Sequence, residues 1–375
     1  MSNNFIPYGH QWIDKDDIKE AVKVLKSDWL TQGPKVEEFE KAIAKYCTAK
    51  YGVVFSSGTA ALHSAYNAAG IKNGDEVITT PLTFAATSNM LAVLGAKPVF
   101  VDIDKDDLNI DSEKIKEKIT KNTKAIVTVD FAGLPCDYDK IFKIARENSL
   151  LVIEDACHAL GAEYKGKKIG GFSGMTVLSF HPVKHITTGE GGIVLTNNKN
   201  FYEKLKLFRN HGIVKKPEKG KWYYEIENPG LNYRITDFQC AIGLNQLKKI
   251  GKFLKRRREI AKIYNEAFKG IKEIMLPKES SSSKSAWHLY PIQVQAKKRK
   301  KIFNGLQKQG IGVQVHYMPL HMHPFYHNKF GYKKGDFPAA EEYYDRAITL
   351  PIFPKMAKKE IKYVIRSVKK ILKSK

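Results

Sequence analysis

Three stretches of this chain put reactive residue types where an apolar strand gives way to a turn. In Ser179-Phe180-His181-Pro182-Val183-Lys184-His185-Ile186-Thr187-Thr188-Gly189-Glu190 a strand ends at a serine, and a lysine follows five residues later among small residues. A lysine amine forms a Schiff base with an aldehyde when its surroundings lower its pKa. In Leu151-Val152-Ile153-Glu154-Asp155-Ala156-Cys157-His158 a strand ends in adjacent carboxylates, with a histidine three residues beyond the second. An acid at a strand's carboxyl end can pair with a positive ring nitrogen above it, or simply cap the backbone that follows. In Val53-Val54-Phe55-Ser56-Ser57-Gly58-Thr59-Ala60 a strand runs directly into a helix start. Free N–H groups and the positive end of the helix dipole can hold a phosphate there, with Gly58 allowing close approach. An ordinary capped helix has the same pattern.

The elements that carry these residues follow from apolar periodicity. Helical spacing is seen in Asp14 to Lys26 (Ile18, Ala21, Val22, Leu25) and in Pro34 to Tyr46 (Val36, Phe39, Ile43, Tyr46). Short buried strands are predicted at Gly52–Phe55, Glu76–Thr80, Pro98–Val101, Ala125–Val129, Leu150–Ile153, Val177–Phe180 and Gly192–Thr196. Helical patterns at Ala60–Ala69, Ala85–Leu94, Ser112–Ile119 and Tyr138–Glu147 separate most of them. Strands alternating with helices predict an α/β fold with a mostly parallel sheet, and ligands in such sheets bind outside the strands' carboxyl ends. After Asn200 helices dominate: Thr236 caps one through Ile250, and Arg256 to Phe268 forms another. Past a polar loop at Glu279–Lys284, a strand (Trp287–Val294), a helix (Lys297–Gln309), a strand (Gly312–His316) and two more helices form a smaller α/β unit. The expected division is 1–250 for a large domain with an N-terminal helical segment, and 251–375 for a small one.

At 375 residues the chain is long enough for one large and one smaller domain, and 43% hydrophobic residues exclude a disordered chain. No apolar run reaches the roughly 20 residues of a membrane span, and the N-terminus does not read as a signal peptide. Cys47, Cys136, Cys157 and Cys240 are scattered, so neither a disulfide framework nor a thiolate zinc site is expected; a reducing cytoplasm fits. The net charge of +24 is spread over the helices, densest at Lys255–Arg258 and Lys297–Lys301, and reads as solvated helix faces rather than a nucleic-acid or membrane surface. Part of it can still help attract a doubly phosphorylated ligand. His316, His321, His323 and His327 cluster without a companion acid or cysteine set, so no metal is expected.

The ordered runs EDACHALGAEYKGKKIGGF, SFHPVKHITTGEGGIVLTNN and LNYRITDFQCAIGLNQL resemble fold-type I pyridoxal 5'-phosphate (PLP) transferases, and within them the DegT/DnrJ/EryC1/StrS family of sugar aminotransferases. The resemblance extends from PYGHQWIDKDDI to LPIFP, nearly the whole chain. It implies Lys184 as the Schiff-base lysine and Asp155 as the acid on the pyridine nitrogen. It implies His158 beside the phenolic oxygen and Phe84 stacked on the ring, although Phe84 taken alone reads more readily as core. Gly58, Thr59 and Ser179 would cradle the phosphate, and Asn232 would reach it from a neighbouring subunit, giving a homodimer with shared sites.

The runs DWLTQGPKVEEFE, KWYYE, HLYPI and GVQVHYMP resemble the branch of pseudaminic acid synthesis. That branch implies amino transfer from L-glutamate to C4 of UDP-2-acetamido-2,6-dideoxy-β-L-arabino-hex-4-ulose. Tyr8, Asp28, Trp29, Leu30 and Thr31, with Gln314, Val315, His316 and Tyr317, would meet the sugar nucleotide. Trp29 could instead be a buried anchor. Two alternatives remain: an aminotransferase for another nucleotide-linked keto sugar (the D-xylo epimer or a 3-keto sugar), and a PLP-binding regulator, for which no DNA-binding segment is expected here.

Overall fold

The computed structural model describes residues 5–373. Seven strands form the main sheet: β1 (Tyr51–Phe55), β2 (Glu76–Thr79), β3 (Lys97–Phe100), β4 (Thr123–Val129), β5 (Leu151–Asp155), β6 (Met175–Ser179) and β7 (Gly192–Thr196). Their order is β1-β7-β6-β5-β4-β2-β3. All neighbours run parallel except β7, which is antiparallel to both β1 and β6. The predicted, mostly parallel sheet is therefore present, and each of the seven strands predicted for it lies within two residues of its observed limits; the later strand expected at Trp287–Val294 begins at Tyr290. Strands β4 to β7 are almost wholly buried, as expected for a sheet covered on both faces.

Register fixes what meets at the sheet's carboxyl edge. Val129 pairs with Asp155, and Asp155 with Val177, two residues before Ser179. Side chains alternate across a strand, so Glu154 and Asp155 face opposite sides. Glu154 turns into the interior and accepts from Thr176 Oγ1 (2.5 Å) and Ser173 Oγ (3.2 Å). Asp155 is left facing the helix that follows β2.

Beyond the sheet, a three-stranded antiparallel ribbon combines β8 (Ile274–Met275), β9 (Tyr290–Val294) and β10 (Ala347–Leu350). Its apolar cluster includes Ile260, Tyr264, Ile292, Leu306, Ile348 and Val364, together with Ile6 from the N-terminal segment. Ile6 is held there by bonds between its backbone and Gly310 and Gly312.

Several expectations are corrected. Ser112–Ile119 is two short 3₁₀ turns, Ser112–Lys114 and Lys116–Lys118, since it buries Ile115 alone from its middle. Gly312–His316 is no strand: it keeps only single bridges, Ile6 with Ile311 and Gln314 with Thr349. The helix expected from Arg256 begins at Ile250, directly after Asp237–Lys248. Three helices rather than two follow residue 316: Pro324–Phe330, Pro338–Arg346 and Lys358–Lys373. The hairpin Ile213–Lys215 with Tyr224–Ile226 gave no signal beforehand.

The helix Lys15–Leu25 forms as predicted, but its apolar face points outward. Ile18, Val22 and Leu25 are exposed, at 57%, 40% and 56%. Asp17 is buried instead, because it accepts from Asn245 (2.8 Å) and Gln246 (2.7 Å) and pairs with Lys249 (2.9 Å).

Candidate active site

A cavity of about 470 Å3 opens at the carboxyl ends of β4, β5 and β6. Asp155, His158, Ser179 and Lys184 line it, with Gly58, Thr59 and Phe84 across from them. Every cofactor residue expected from the sequence is there except Asn232. A larger groove, about 1290 Å3, shares no residue with it and runs past Gln32, Glu40, Arg209 and Arg234. Size alone would favour that groove; the reactive residue types are in the smaller one.

Lys184 sits in the turn after β6, half-buried, with its N–H bonded to the carbonyl of His181 (2.9 Å). Burial lowers the pKa of its amine; Cys157 and Asp155 oppose that shift and Arg257 adds to it. Asp155 is buried and held on both oxygens: Thr87 Oγ1 donates at 2.7 Å and the Cys157 N–H at 3.2 Å. Thr87 in turn meets Thr83 Oγ1 at 2.8 Å.

His158 Nε2 lies 3.2 Å from the Tyr317 hydroxyl, and its ring lies tilted against that of His288, with centroids 4.4 Å apart. Burial first, then the nearby Lys184 charge, drives its pKa well down, so the imidazole is neutral near pH 7. Phe84 is 58% exposed, with its ring 6.0 Å from that of Tyr317. Phe84 is therefore an exposed ring at the cavity mouth, not the core residue that sequence alone favoured.

At the far side the helix Gly58–Ala68 begins with Ser57 as its cap, accepting from the Ala60 N–H (3.1 Å). A Cβ on Gly58 would stand 3.1 Å from Ser179 Cβ and 3.2 Å from its hydroxyl. The glycine thus keeps open a corner lined by helix N–H groups and the Ser179 hydroxyl.

The substrate-site expectations divide. Tyr8 lines the cavity, and its ring lies 5.3 Å from that of His316. His316 is buried against Thr349 Oγ1 (2.9 Å), Val315 packs partly buried against the cluster that includes Phe131 and Leu320, and Gln314 is exposed. Asp28, Trp29, Leu30 and Thr31 do not line the cavity. They are exposed, tied to the helix at Asp237 by the Thr31–Thr236 bridge, and Trp29 is 57% exposed rather than a buried anchor. Asn232 is also exposed, bridged to Asn210 on the wall of the larger groove.

Sequence reasoning missed Thr87, Cys157 as a backbone donor, and His288. Thr83-x-x-x-Thr87 was visible as an i, i+4 pair at a helix start, but nothing local tied it to Asp155. The clustered histidines are absorbed structurally: His321 pairs with Glu341 (2.8 Å), and His327 Nδ1 meets the Tyr332 carbonyl (2.7 Å). Among the described residues no group of three or more His, Cys, Asp or Glu is placed to hold a metal ion.

The model of the DegT/DnrJ/EryC1/StrS aminotransferase family matches residues 11–369. The chain belongs to this family. It is an aminotransferase with the fold of the PLP transferases, and PLP is its cofactor. It is 50% identical to an uncharacterized protein of Methanocaldococcus jannaschii, over 99% of each chain. It is 43% identical to the UDP-4-amino-4,6-dideoxy-N-acetyl-β-L-altrosamine transaminase of Campylobacter jejuni, over 96% of this chain and 95% of that one. Among solved structures, Helicobacter pylori PseC, an aminotransferase in pseudaminic acid biosynthesis, matches with a TM-score of 0.94 and 38% identity over 98% and 99% of the two chains. The PLP form of a sugar aminotransferase from Streptococcus pneumoniae matches at 0.93 and 32%, over 98% of each.

The residues of this aminotransferase fit the cofactor. Asp155 is a buried carboxylate whose bonds are to a hydroxyl and an N–H, and it forms no salt bridge among the described residues, which suits a protonated ring nitrogen. The open corner at Gly58 suits a phosphate.

Proposed function

We propose that this aminotransferase moves an amino group from L-glutamate to C4 of UDP-2-acetamido-2,6-dideoxy-β-L-arabino-hex-4-ulose, forming UDP-4-amino-4,6-dideoxy-N-acetyl-β-L-altrosamine for pseudaminic acid synthesis. The observation that carries the chemistry is the convergence of Lys184, Asp155 and the Gly58 corner on one cavity. The substrate rests on the names of relatives that match this chain over nearly its full length.

When bound, PLP supplies an electron-sink ring and a carbon that carries nitrogen from donor to acceptor. Lys184 would hold it covalently, and its amine, when free, would take and return the proton at the substrate carbon as general base and acid. Its lowered pKa favours the free amine that both tasks need. Asp155, its carboxylate fixed by Thr87 and Cys157, would keep the ring nitrogen protonated. Ser57, Gly58, Thr59 and Ser179 would hold the phosphate. His158 would serve the phenolic oxygen and Phe84 the face of the ring. Tyr8, His316 and Tyr317 form the nearer wall of the sugar site.

The working form in this reading is a homodimer with shared sites. The outward apolar stripe Ile18, Val22 and Leu25 needs a cover, and Asn232 with Asp28, Trp29, Leu30 and Thr31 is exposed away from its own cavity, free to serve a partner's. The division into 1–250 and 251–375 belongs to the same reading; the two main apolar clusters fall mostly on either side of it, although Phe253, Leu254 and Ala286 join the first and Ile6 the second. No described helix is long and apolar enough to cross a membrane, and the four unpaired cysteines fit a cytoplasmic site of action.

The test offers the purified protein both C5 epimers of the UDP-linked 4-keto sugar and follows the products by NMR. The C5 methyl lies on opposite ring faces in the two, and misplacing C4 by about 1 Å can cost 10²-fold in rate. The L-arabino compound should exceed the D-xylo epimer in kcat/KM by at least roughly tenfold. Faster turnover of the D-xylo epimer leaves the aminotransferase standing and replaces the substrate with a D-configured sugar.

A further inference from the structure

Arg257 lies within the helix Ile250–Phe268 with 1% of its surface exposed. All its hydrogen bonds go to backbone carbonyls. Nη1 donates to Trp287 (3.2 Å), His288 (3.1 Å) and Ile352 (3.0 Å), and Nη2 to Val183 (3.4 Å). Its Nε finds no acceptor. Burial lowers its pKa to about 9, which still leaves a cation at neutral pH. A buried charge with no counter-ion is costly, and neutral donors would serve carbonyls at less expense.

What those carbonyls belong to gives the charge a purpose. The Val183 oxygen is on the peptide that leads into Lys184. His288 carries the ring packed against His158 at 4.4 Å. The N–H of Ile352 donates to the Tyr8 carbonyl at 3.0 Å. One guanidinium therefore gathers the segments behind three cavity residues: Lys184, His158 and Tyr8.

It also sets a charge among the groups facing Lys184. Asp155, Cys157 and His158 face the amine from the end of β5. His181 and Glu190, 3.9 Å apart, flank it on its own turn, with His185 behind. His288 and His316 face it from the C-terminal segments and Tyr8 from the N-terminal one. Burial depresses the four buried imidazoles, His158, His185, His288 and His316, leaving them uncharged at neutral pH. Arg257 is then the lasting positive charge that acts on Lys184.

We propose that Arg257 is a positioning residue for Lys184: its buried guanidinium fixes the peptide before that lysine against the segments carrying His158 and Tyr8, and supplies a positive field behind the amine. This rests on Lys184 being the cofactor lysine.

The test compares R257M and R257K with the wild-type holoenzyme. It reads the pH titration of the visible absorbance of the Lys184–cofactor link, and the single-turnover rate with glutamate. Removing a nearby cation favours the protonated link, so R257M should raise the titration midpoint by at least about one pH unit, a tenfold change in the proton equilibrium. The rate in R257M should fall by about tenfold with little change in KM, and R257K should restore both in large part. A wild-type midpoint in R257M, or the same displacement in R257K as in R257M, overturns the proposal. If R257M does not fold, R257Q reads the same midpoint, since it keeps N–H donors without charge; an unmoved midpoint there is equally fatal. Failure of the underlying reading looks different: the wild-type protein then shows no borohydride-fixable link at Lys184.

Discussion

Thr87 donates a hydrogen bond from Oγ1 to Oδ2 of Asp155 across 2.7 Å, in a buried setting that joins the first turn of one helix to the end of a strand 68 residues later. The same hydroxyl meets Thr83, so its proton is directed at the carboxylate. The other Asp155 oxygen takes the Cys157 N–H. The carboxylate is thus oriented before any ligand arrives. Asp155→Asn keeps the shape and removes the charge, and should lower turnover on the order of 10²-fold or more, as for other preorganised charges. Thr87→Val loses only the orienting bond and should cost less, about tenfold, consistent with the roughly 1.5–3 kcal/mol of a hydrogen bond to a charged group. Steady-state kinetics decide it; near-normal turnover of the asparagine variant would make Asp155 a structural cap.

Borohydride treatment of the yellow holoenzyme should fix the label on the peptide containing Lys184. Lys184→Ala should abolish turnover while phosphate and ring contacts still retain cofactor. A labelled peptide elsewhere sinks the assignment.

Gly58→Ala places a methyl group about where a phosphate oxygen would approach, 3.1 Å from Ser179 Cβ. The residue sits at an ordinary helix start, so the backbone tolerates alanine. Cofactor affinity should drop by roughly tenfold or more, about 1.4 kcal/mol, with only a small fall in the melting temperature of the cofactor-free protein as Ser179 gives way. Equal affinity, measured by fluorescence titration, would place the phosphate elsewhere.

Mixing inactive Lys184→Ala protein with an inactive Asn232→Ala variant should restore activity, up to about a quarter of wild type after full random subunit exchange. Half the dimers are then mixed, and each mixed dimer holds one intact site. No recovery, once exchange has been demonstrated with tagged chains, means each site is built within one chain.

The buried imidazoles of His158, His185 and His288 have pKa values well below the ordinary histidine range, chiefly through burial. The unfolded chain binds their protons first, so their contribution is intact above about pH 6.5 and is lost as pH falls from there toward the depressed values. With three groups the loss can reach about 4 kcal/mol per pH unit. Urea midpoints should fall steeply between about pH 6.5 and 5. His185→Gln should flatten that slope, and identical midpoints at both pH values would refute it.

The sequence by itself determined the alternation of strands and helices and the three strand-end motifs, because each depends on residues adjacent along the chain. Lys184 after Ser179, Asp155 at the end of its strand and Gly58 at a helix start are local facts, and a parallel sheet must bring strand ends to one edge. Only the tertiary structure decided the rest. Thr87 reaches Asp155 because β2 and β5 flank β4. Tyr317 and His288 reach His158 because the C-terminal segments fold back over the sheet's edge. The face of Lys15–Leu25 illustrates the limit: periodicity identified an amphipathic helix, yet Asp17 turned inward because Asn245, Gln246 and Lys249, more than 220 residues away, satisfy its carboxylate. Burial of a charge is settled by partners that only the folded chain brings within reach, and no spacing along the chain encodes them.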